Sequence, residues 1–408
     1  MKSQVIQISP TTMKRRVLAV VRPVGYERVL IESARGRILG ESVKSRHPSP
    51  RMHCSAMDGY AVHCQDLAGA SKSHPVRLIV AGEIGAGERM RRPLPRNHTV
   101  RIMTGAPLPP GGDSVVRLER IRVDGDRILV FERVPRFNDA RRAGSEIRPN
   151  QIVLTRGCVI GPAQMAMLAF LDRPRVRLYR RPRVGVVSTG DELGAVGQKR
   201  PYGHIPDSNR YALLGLVESA GCSPIDGGRV GDQPEALWRR LEKILPRVDF
   251  IVTSGGVSAG DHDVVKVLFR GRGGVDLYRL PIKPGKPQAF GKIGRVPFFG
   301  LPGNPVSAML VFDLLVRPAL RKLAGAIEIE APRWTATVMR DFPRKTRSWE
   351  FPRAVARQRD GCWQVYPVAS QKSSNLKSMT DADGYLVLSP GSPPPIKGAV
   401  VVFMPLLV

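Results

Sequence analysis

Cysteine, acidic residues, aromatics and long apolar runs are all scarce in this chain of 408 residues. Its five cysteines form no Cys-x-x-Cys pair and are odd in number, which disfavours a disulfide framework and predicts a reducing, cytoplasmic location. No apolar run approaches the roughly 20 residues that cross a bilayer, so we predict no membrane-spanning helix. The N-terminal residues also lack the continuous apolar core of a secretion signal.

The shortage of acidic residues leaves a large positive charge. Asp and Glu total 35 against 64 Lys and Arg, so the formal net charge is +29. Such an excess makes polyanions candidate partners, among them nucleic acids and phosphorylated metabolites. The basic residues are spread through the whole chain, which equally fits a coding bias towards Arg. Aromatics are only 6% of the residues, and the strands carry no base-stacking pattern, so the sequence disfavours nucleic-acid recognition.

Apolar periodicity divides the chain into regions of different character. The segment Tyr26–Leu39 has the spacing of a helix, and the short apolar runs broken by Gly and Pro in Ser55–Val134 are typical of a small β-rich unit. From Pro182 strands alternate with helices, which predicts a doubly wound, mostly parallel α/β domain. After Ala331 the strands are short again and predict a C-terminal β domain.

Three turns at the predicted strand ends are rich in Gly, Ser or Pro and lead into helices. Ligands of open α/β sheets bind at such ends, where free backbone N–H groups favour phosphate or another oxyanion. One such turn is a weak signal, but three in one sheet are a moderate one. None matches a P-loop or a dinucleotide fingerprint. The turns are Ser188-Thr189-Gly190, Ser254-Gly255-Gly256-Val257-Ser258 and Pro302-Gly303-Asn304-Pro305-Val306-Ser307.

Carboxylates stand beside these turns. Asp191 and Glu192 follow the first turn, Asp261 and Asp263 follow the second, and Asp232 lies near a predicted helix start. Acidic side chains beside phosphate-binding turns indicate Mg²⁺, which prefers oxygen ligands and bridges carboxylates to substrate phosphate. The alternative is that Asp191 and Asp232 are helix N-caps, worth about 1 kcal/mol each.

Two lysines lie three residues apart in Ile282-Lys283-Pro284-Gly285-Lys286-Pro287. Proline stiffens this turn, so both ammonium groups can converge on one tetrahedral oxyanion. Two solvated lysines on a surface loop are the alternative interpretation.

Six ordered motifs together resemble those of the molybdopterin molybdenumtransferases of the MoeA type, which are related to the gephyrin E domain. The resemblance covers essentially the full length, and the C-terminal region adds Phe351, Arg353 and the run Ser373–Met379. The motifs are Ser55-Ala56-Met57-Asp58-Gly59-Tyr60-Ala61-Val62, Arg101-Ile102-Met103-Thr104-Gly105-Ala106-Pro107-Leu108-Pro109, Ser188-Thr189-Gly190-Asp191-Glu192-Leu193, Thr253-Ser254-Gly255-Gly256-Val257-Ser258, Lys283-Pro284-Gly285-Lys286-Pro287 and Leu301-Pro302-Gly303-Asn304-Pro305-Val306-Ser307.

The resemblance implies an elongated homodimer of four-domain subunits, with other proteins of molybdenum-cofactor synthesis as possible partners. Residues 1–50 and 146–180 would form a discontinuous linker and dimerisation domain, and residues 51–145 a small β-rich domain. Residues 181–327 would form the α/β molybdopterin-binding domain, and residues 328–408 the C-terminal β domain.

The resemblance further implies that the substrates are adenylylated molybdopterin and molybdate, and that Mg²⁺-dependent release of AMP accompanies molybdate insertion. Asp191, Glu192, Asp232 and Asp263 would be the acidic catalytic set, with Glu192, Asp232 and Asp263 as metal ligands. Asp58 and Thr104 would reach into the partner subunit's cleft. The residues expected to bind the substrates are Gly190, Ser254, Gly255, Gly256, Ser258, Lys283, Lys286, Pro302, Gly303, Asn304, Ser307, Arg353, Ser373 and Ser374.

Two segments depart from the family pattern. Gly144-Ser145-Glu146-Ile147 replaces Gly-Glu-Asp-Ile, and Met52-His53-Cys54 replaces Phe-Asp-Asn. Together with the positive charge, these changes leave two alternatives open. One is a drifted, non-catalytic paralogue that acts as a scaffold, and the other is a polyanion binder.

Overall fold

The structure is a computed structural model that describes residues 5–257, 263–342 and 348–407. The chain forms two compact units. The first contains the described residues up to Glu41, Arg156–Ala166 and the chain from Arg173 onward. The second contains Ser42–Thr155 and Met167–Asp172. The four-domain subdivision stays a prediction.

The helices α1 to α8 are, in chain order, Pro10–Val20, Pro162–Phe170, Ser208–Ser219, Pro234–Ile244, Val264–Arg272, Pro305–Val311, Arg317–Leu323 and Lys377–Thr380. A π-helical turn, Phe312–Val316, joins α6 to α7. Short 3₁₀ turns occur at Ile31–Ser33, Cys64–Leu67, Leu118–Arg120 and Leu245–Arg247.

Strands β1 to β12 are Ile6–Gln7, Tyr26–Leu30, Val43–Lys44, Cys54–Ser55, Gly59–Val62, Val76–Ile84, His98–Ile102, Ser114–Arg117, Ile121–Asp124, Arg127–Val130, Ala140–Arg141 and Ile152–Leu154. Strands β13 to β22 are Arg175–Tyr179, Arg183–Thr189, Leu193–Gly194, Ile205–Pro206, Ser223–Val230, Phe250–Ser254, Val275–Arg279, Ile282–Lys283, Pro287–Ile293 and Val296–Leu301. Strands β23 to β28 are Trp334–Val338, Trp349–Glu350, Arg353–Arg359, Cys362–Pro367, Gly384–Val387 and Val400–Pro405.

A mostly parallel sheet is the centre of the first unit. Among the described residues it has seven strands in the order β1-β19-β21-β22-β18-β14-β17. The four strands β22, β18, β14 and β17 run parallel, and β1 runs parallel to β19. Strand β21 is antiparallel to both of its neighbours. The predicted α/β class is therefore confirmed.

Helices cover both faces of this sheet. Alternate residues of β14 point to opposite sides, so Val186 packs with α1 and α3 whereas Val187 packs with α4 and α5. The same alternation places Val252 and Ile251 of β18 in the two separate core clusters. Strands that are buried on both faces read as continuous apolar runs, which is why the sequence predicted them.

The small β-rich unit and the C-terminal β domain predicted from the sequence are both formed by β-strands. In the described C-terminal part, β23, β26, β25, β27 and β28 close into a small barrel around Val338, Val365 and Phe403. In the second unit, strands β8-β5-β7-β6-β10-β9 form a sheet that buries Tyr60 and Ile128 in one cluster and Val100 in another.

The prediction of a helix over Tyr26–Leu39 is wrong. Residues Tyr26–Leu30 form a strand that pairs antiparallel with Arg175–Tyr179, followed by one 3₁₀ turn. The spacing of apolar residues in this short segment fits both structures, and a strand partner about 150 residues away decided between them. A helix that was not predicted, α1, begins after Ser9, whose hydroxyl accepts a hydrogen bond from the Thr12 N–H at 3.1 Å.

We expect two glycine substitutions to change stability in opposite directions. A Cβ at Gly291 in β21 would collide with the Gly274 carbonyl and lie 2.6 Å from Val275 Cα, so Gly291→Ala should lower the free energy of unfolding by about 1–3 kcal/mol. A Cβ at Gly215 in α3 meets nothing within 4 Å, so Gly215→Ala should raise it by about 0.5–1 kcal/mol. Denaturant titration of both variants tests this, and equal effects of the two would contradict it.

Candidate active site

The three turns singled out in the sequence lie at one edge of the α/β sheet. The parallel strands β14, β18 and β22 end at Thr189, Ser254 and Leu301, and pairing of β18 with both neighbours aligns these ends. The turn after β18 needs glycine because Gly255 has φ +97° and any Cβ there would collide with the Thr189 carbonyl. Gly190 and Gly256 occupy the same edge. Ser258 and Asp261 lie outside the described residues.

Two of the predicted acidic residues bind each other's backbone. The Asp232 N–H donates to Asp191 Oδ1 at 3.0 Å, and the Asp191 N–H donates to Asp232 Oδ2 at 3.3 Å. Neither residue caps a helix, since the N-cap of α4 is Gln233 and Asp191 is followed by the short strand Leu193–Gly194. The alternative N-cap interpretation of Asp191 and Asp232 is therefore wrong.

Like charges gather at this edge. Burial raises the pKa of Asp232, and the charges of Asp191, Glu192 and Asp263 raise it further. The carboxylate of Glu192 folds back over Gly190, with Oε1 2.8 Å from where a Cβ would stand. Asp263 occupies the N-cap position of α5 without a cap hydrogen bond, and its buried Oδ2 has no hydrogen-bond partner among the described residues. The four predicted acidic residues therefore form one cluster.

The acidic cluster suits a cation that also binds substrate. Among the residues that the structure describes, no three His, Cys, Asp or Glu side chains are arranged to hold a metal by themselves. Mg²⁺ usually needs only one or two protein carboxylates and takes its other ligands from water and phosphate. The burial of Asp232 among like charges fits such a cation, as does the Asp263 Oδ2, which has no partner in the described part of the chain.

Asn209 connects the sheet edge to a neighbouring cavity. Its Nδ2 donates to Ser254 Oγ and to the Gly303 carbonyl, both at 2.7 Å. Ser254 Oγ in turn donates to the Pro302 carbonyl at 3.4 Å. We did not predict Asn209 from the sequence. Its position two residues after the α3 cap Asp207 was the available signal.

The cavity has a volume of about 970 Å³ and is lined by the α/β domain and the C-terminal barrel. It brings together many of the residues expected to bind substrate, whereas Ser374 is exposed and does not line it. The expected residues Gly190, Ser254, Gly255 and Gly256 lie at the sheet edge instead and do not line the cavity. The expected residues that line it are Lys283, Lys286, Pro302, Gly303, Asn304, Ser307, Arg353 and Ser373. Further lining residues that we did not predict are Arg340, Glu350, Ser370, Gln371 and Lys372.

The turn that carries the two lysines is fixed by packing and by a hydrogen bond on its buried side. Gly285 has φ +103°, and a Cβ there would lie 2.6 Å from Val311 Cγ2, so only glycine fits. The fully buried Gln288 donates from Nε2 to the Gly285 carbonyl at 3.0 Å. Lys283 and Lys286 therefore project from a fixed turn rather than from a loose surface loop.

Arg353 is the most unusual lining residue because it is a buried charge. Only 1% of the residue is exposed, and burial lowers its pKa. Its Nη2 donates to the carbonyls of Ser370 and Lys372 at 3.1 and 3.3 Å, while its Nε is buried without a partner. Within residues 5–257, 263–342 and 348–407 no carboxylate pairs with it. Arginine stays protonated in proteins, so the cavity carries an uncompensated positive charge.

In the second unit, Asp58 and Thr104 are joined directly. The N–H and the hydroxyl of Thr104 each donate to Asp58 Oδ1 at 2.7 Å, and these bonds lower the pKa of Asp58. The departures from the family pattern meet in this unit, where Glu146 pairs with Arg141 and burial raises the pKa of the Cys54 thiol.

Family comparison bears on the whole length of the chain. Residues 8–171 match the family described as the MoeA N-terminal region (domain I and II), residues 185–322 match the probable molybdopterin binding domain, and residues 335–406 match the MoeA C-terminal region (domain IV). The chain belongs to the MoeA family.

Individual members of the MoeA family agree in sequence and in fold. The molybdopterin molybdenumtransferase of Haemophilus influenzae is 34% identical over 369 residues, which are 90% of this chain and 90% of that protein. The enzyme of the same name from Nostoc sp. is 34% identical over 88% of this chain and 84% of its own. The crystal structure of a molybdopterin biosynthesis MoeA protein from Pyrococcus horikoshii superposes with a TM-score of 0.85 at 25% identity, covering 98% of this chain and 100% of that one.

None of the helices in the described ranges combines the length and the apolar character that crossing a membrane requires.

We expect Asp232→Asn to stabilise the protein at neutral pH in the absence of divalent cations. The folded protein raises the pKa of Asp232 above its ordinary value of 3.8, so the ionised carboxylate is disfavoured by folding. The variant should therefore melt at a higher temperature than wild type at pH 7, and the gap should close as the pH falls through the raised pKa. Thermal unfolding between pH 7 and pH 4 measures this, with Glu242→Gln on the exposed face of α4 as the control. A variant that melts below wild type at pH 7 would contradict it.

Proposed function

We propose that this protein inserts molybdate into adenylylated molybdopterin and releases AMP, with Mg²⁺ as the cofactor. The observation that supports this most is the uncompensated charge of Arg353 in a cavity that adjoins a cluster of carboxylates. A cationic cavity beside an acidic edge suits a reaction that uses an oxyanion and a metal-bound phosphate together. Membership of the MoeA family supports the same substrates.

The chemistry of the cavity fits molybdate. Molybdate is a tetrahedral dianion, and its best hosts are cationic side chains, hydroxyls and backbone N–H groups. Lys283, Lys286 and Arg353 supply three positive charges around one cavity, and Ser373 supplies a hydroxyl.

The chemistry of the sheet edge fits a phosphoanhydride. The N–H groups of Gly190 and Gly255 donate to the carbonyls of Val230 and Leu301 at 3.1 and 3.0 Å, so phosphate oxygens would bind other backbone N–H groups of these two turns. Asp232, Asp263 and Glu192 would hold Mg²⁺, whose charge would stabilise the negative charge that develops as AMP leaves. Asp191 would keep Asp232 in place through their two hydrogen bonds.

The direct test is AMP release from adenylylated molybdopterin by the purified protein, with Mg²⁺ and with or without molybdate. Molybdate-dependent release is the expected result. A folded protein that releases no AMP under any of these conditions would contradict the proposal and favour a non-catalytic scaffold.

We expect Asp263→Ala to reduce AMP release to background while the protein stays folded. The Asp263 carboxylate makes no cap hydrogen bond, so its loss should cost helix α5 little. The measurement is the rate of AMP release together with the melting temperature. Glu242→Ala, an exposed acidic residue on α4, should keep wild-type activity. Full turnover by Asp263→Ala would remove this residue from the acidic set.

We further propose a homodimer in which Asp58 and Thr104 of one subunit complete the partner's site. In that case Asp58→Ala and Asp263→Ala should each be inactive alone. The Asp58→Ala protein lacks the residue that is contributed to the partner's site, and the Asp263→Ala protein lacks one carboxylate of the acidic cluster. Unfolding and refolding the two variants together should restore part of the activity, since mixed dimers contain one intact site. Mixtures that stay as inactive as the separate variants would place Asp58 and Asp263 in the same subunit's site.

A further inference from the structure

The strand that begins with Arg353 loses its β26 neighbour at that residue, whereas on its other side Arg353 still pairs with Tyr385 of β27. Strands β25 and β26 pair antiparallel as far as Ala354 and Pro367, after which the chain of β26 turns away. The Val368 N–H still donates to the Arg353 carbonyl at 3.3 Å, but the Arg353 N–H has no strand carbonyl opposite it. A side chain provides the missing hydrogen-bond acceptor for the Arg353 N–H.

Gln371 completes the interrupted ladder with its side-chain amide. Its Oε1 accepts from the Arg353 N–H at 2.9 Å, and its Nε2 donates to the Arg353 carbonyl at 2.9 Å. A glutamine amide offers the same donor and acceptor as a peptide group, so it can replace a strand residue. Both backbone groups of Arg353 are therefore held by one side chain.

The same residue holds the loop that surrounds the guanidinium. The carbonyls on either side of Gln371, those of Ser370 and Lys372, are the two acceptors of Arg353 Nη2. The loop is then tied to the start of α6, where the Val306 N–H donates to the Ser373 carbonyl at 3.2 Å. Because no carboxylate of the described chain pairs with Arg353, this loop provides the fixed contacts of its guanidinium.

We propose that Gln371 is a positioning residue for anion binding: its side-chain amide fixes Arg353 and the loop 370–373 to each other and thereby orients the buried guanidinium towards the cavity. This inference rests on the proposed function, in which that guanidinium binds molybdate. Gln371 itself need not touch the anion, since both ends of its amide are engaged by the backbone of Arg353.

The test is molybdate binding measured by isothermal titration calorimetry on the full-length protein. Gln371→Met keeps the length of the side chain but removes both hydrogen bonds, and it should weaken molybdate binding by about tenfold or more. Gln358→Met is the matched control because Gln358 is exposed and lies on β25, the strand that also contains Arg353. The control should bind molybdate as wild type does.

A double-mutant cycle separates positioning from a general structural effect. If Gln371 acts through Arg353, then adding Gln371→Met to Arg353→Met should cause no further loss of affinity. Losses that add, or a Gln371→Met protein that binds as wild type does, would overturn the inference while leaving the proposed function standing. Wild-type protein that binds no molybdate would overturn both.

A second variant covers the case in which Gln371→Met does not fold. Gln371→Glu has the same shape and can still accept from the Arg353 N–H, but at neutral pH it cannot donate to the Arg353 carbonyl, and it adds a negative charge near the guanidinium. We expect it to weaken molybdate binding as well. Wild-type affinity in a folded Gln371→Glu protein would overturn the inference.

Discussion

Burying a guanidinium without a carboxylate beside it is unfavourable, and much of the site is arranged around that unfavourable charge. Arg353 is supported by backbone carbonyls, which partly solvate the charge but do not neutralise it. The lysine turn held by Gln288 adds two more positive charges to the same cavity. The lack of an acidic partner lowers the stability of the folded protein, but it leaves a positive electrostatic field that a dianion can satisfy. In the proposed function, this positive charge would attract the oxyanion to a cavity that is already formed.

Negative charge accumulates at the edge of the α/β sheet, which adjoins this cavity. Burial raises the pKa of Asp232, the charges of the neighbouring carboxylates raise it further, and a cation would relieve the repulsion among them. Asn209 and Ser254 join this acidic edge to the Pro302–Gly303 wall of the cavity through direct hydrogen bonds. Two adjoining regions of unlike charge, the edge of the α/β sheet and the cavity beside it, could bind a metal-bound phosphate and an oxyanion together. That separation of charge is the physical basis of the proposed transferase chemistry.

Much of this arrangement could be predicted because its residues are close in sequence. The turns after β14, β18 and β22 and the lysine turn are local motifs, and the buried parallel strands read as apolar runs. The strand at Tyr26–Leu30 could not be predicted, because its partner Arg175–Tyr179 is distant in the chain. The support of Arg353 was equally hidden, since Gln371 is 18 residues away and acts through a side chain that mimics a strand. Long-range pairing and side-chain mimicry of the backbone leave no periodic pattern.

Location of the oxyanion is the most direct test of the central claim that the Arg353 cavity binds molybdate. Tungstate has the same shape and charge as molybdate and scatters X-rays anomalously, so crystals soaked in tungstate would show its position. We expect the anomalous peak inside the cavity, within hydrogen-bonding distance of the Arg353 guanidinium and of Lys283 or Lys286. A peak outside the cavity, or an empty cavity at saturating tungstate, would contradict the claim.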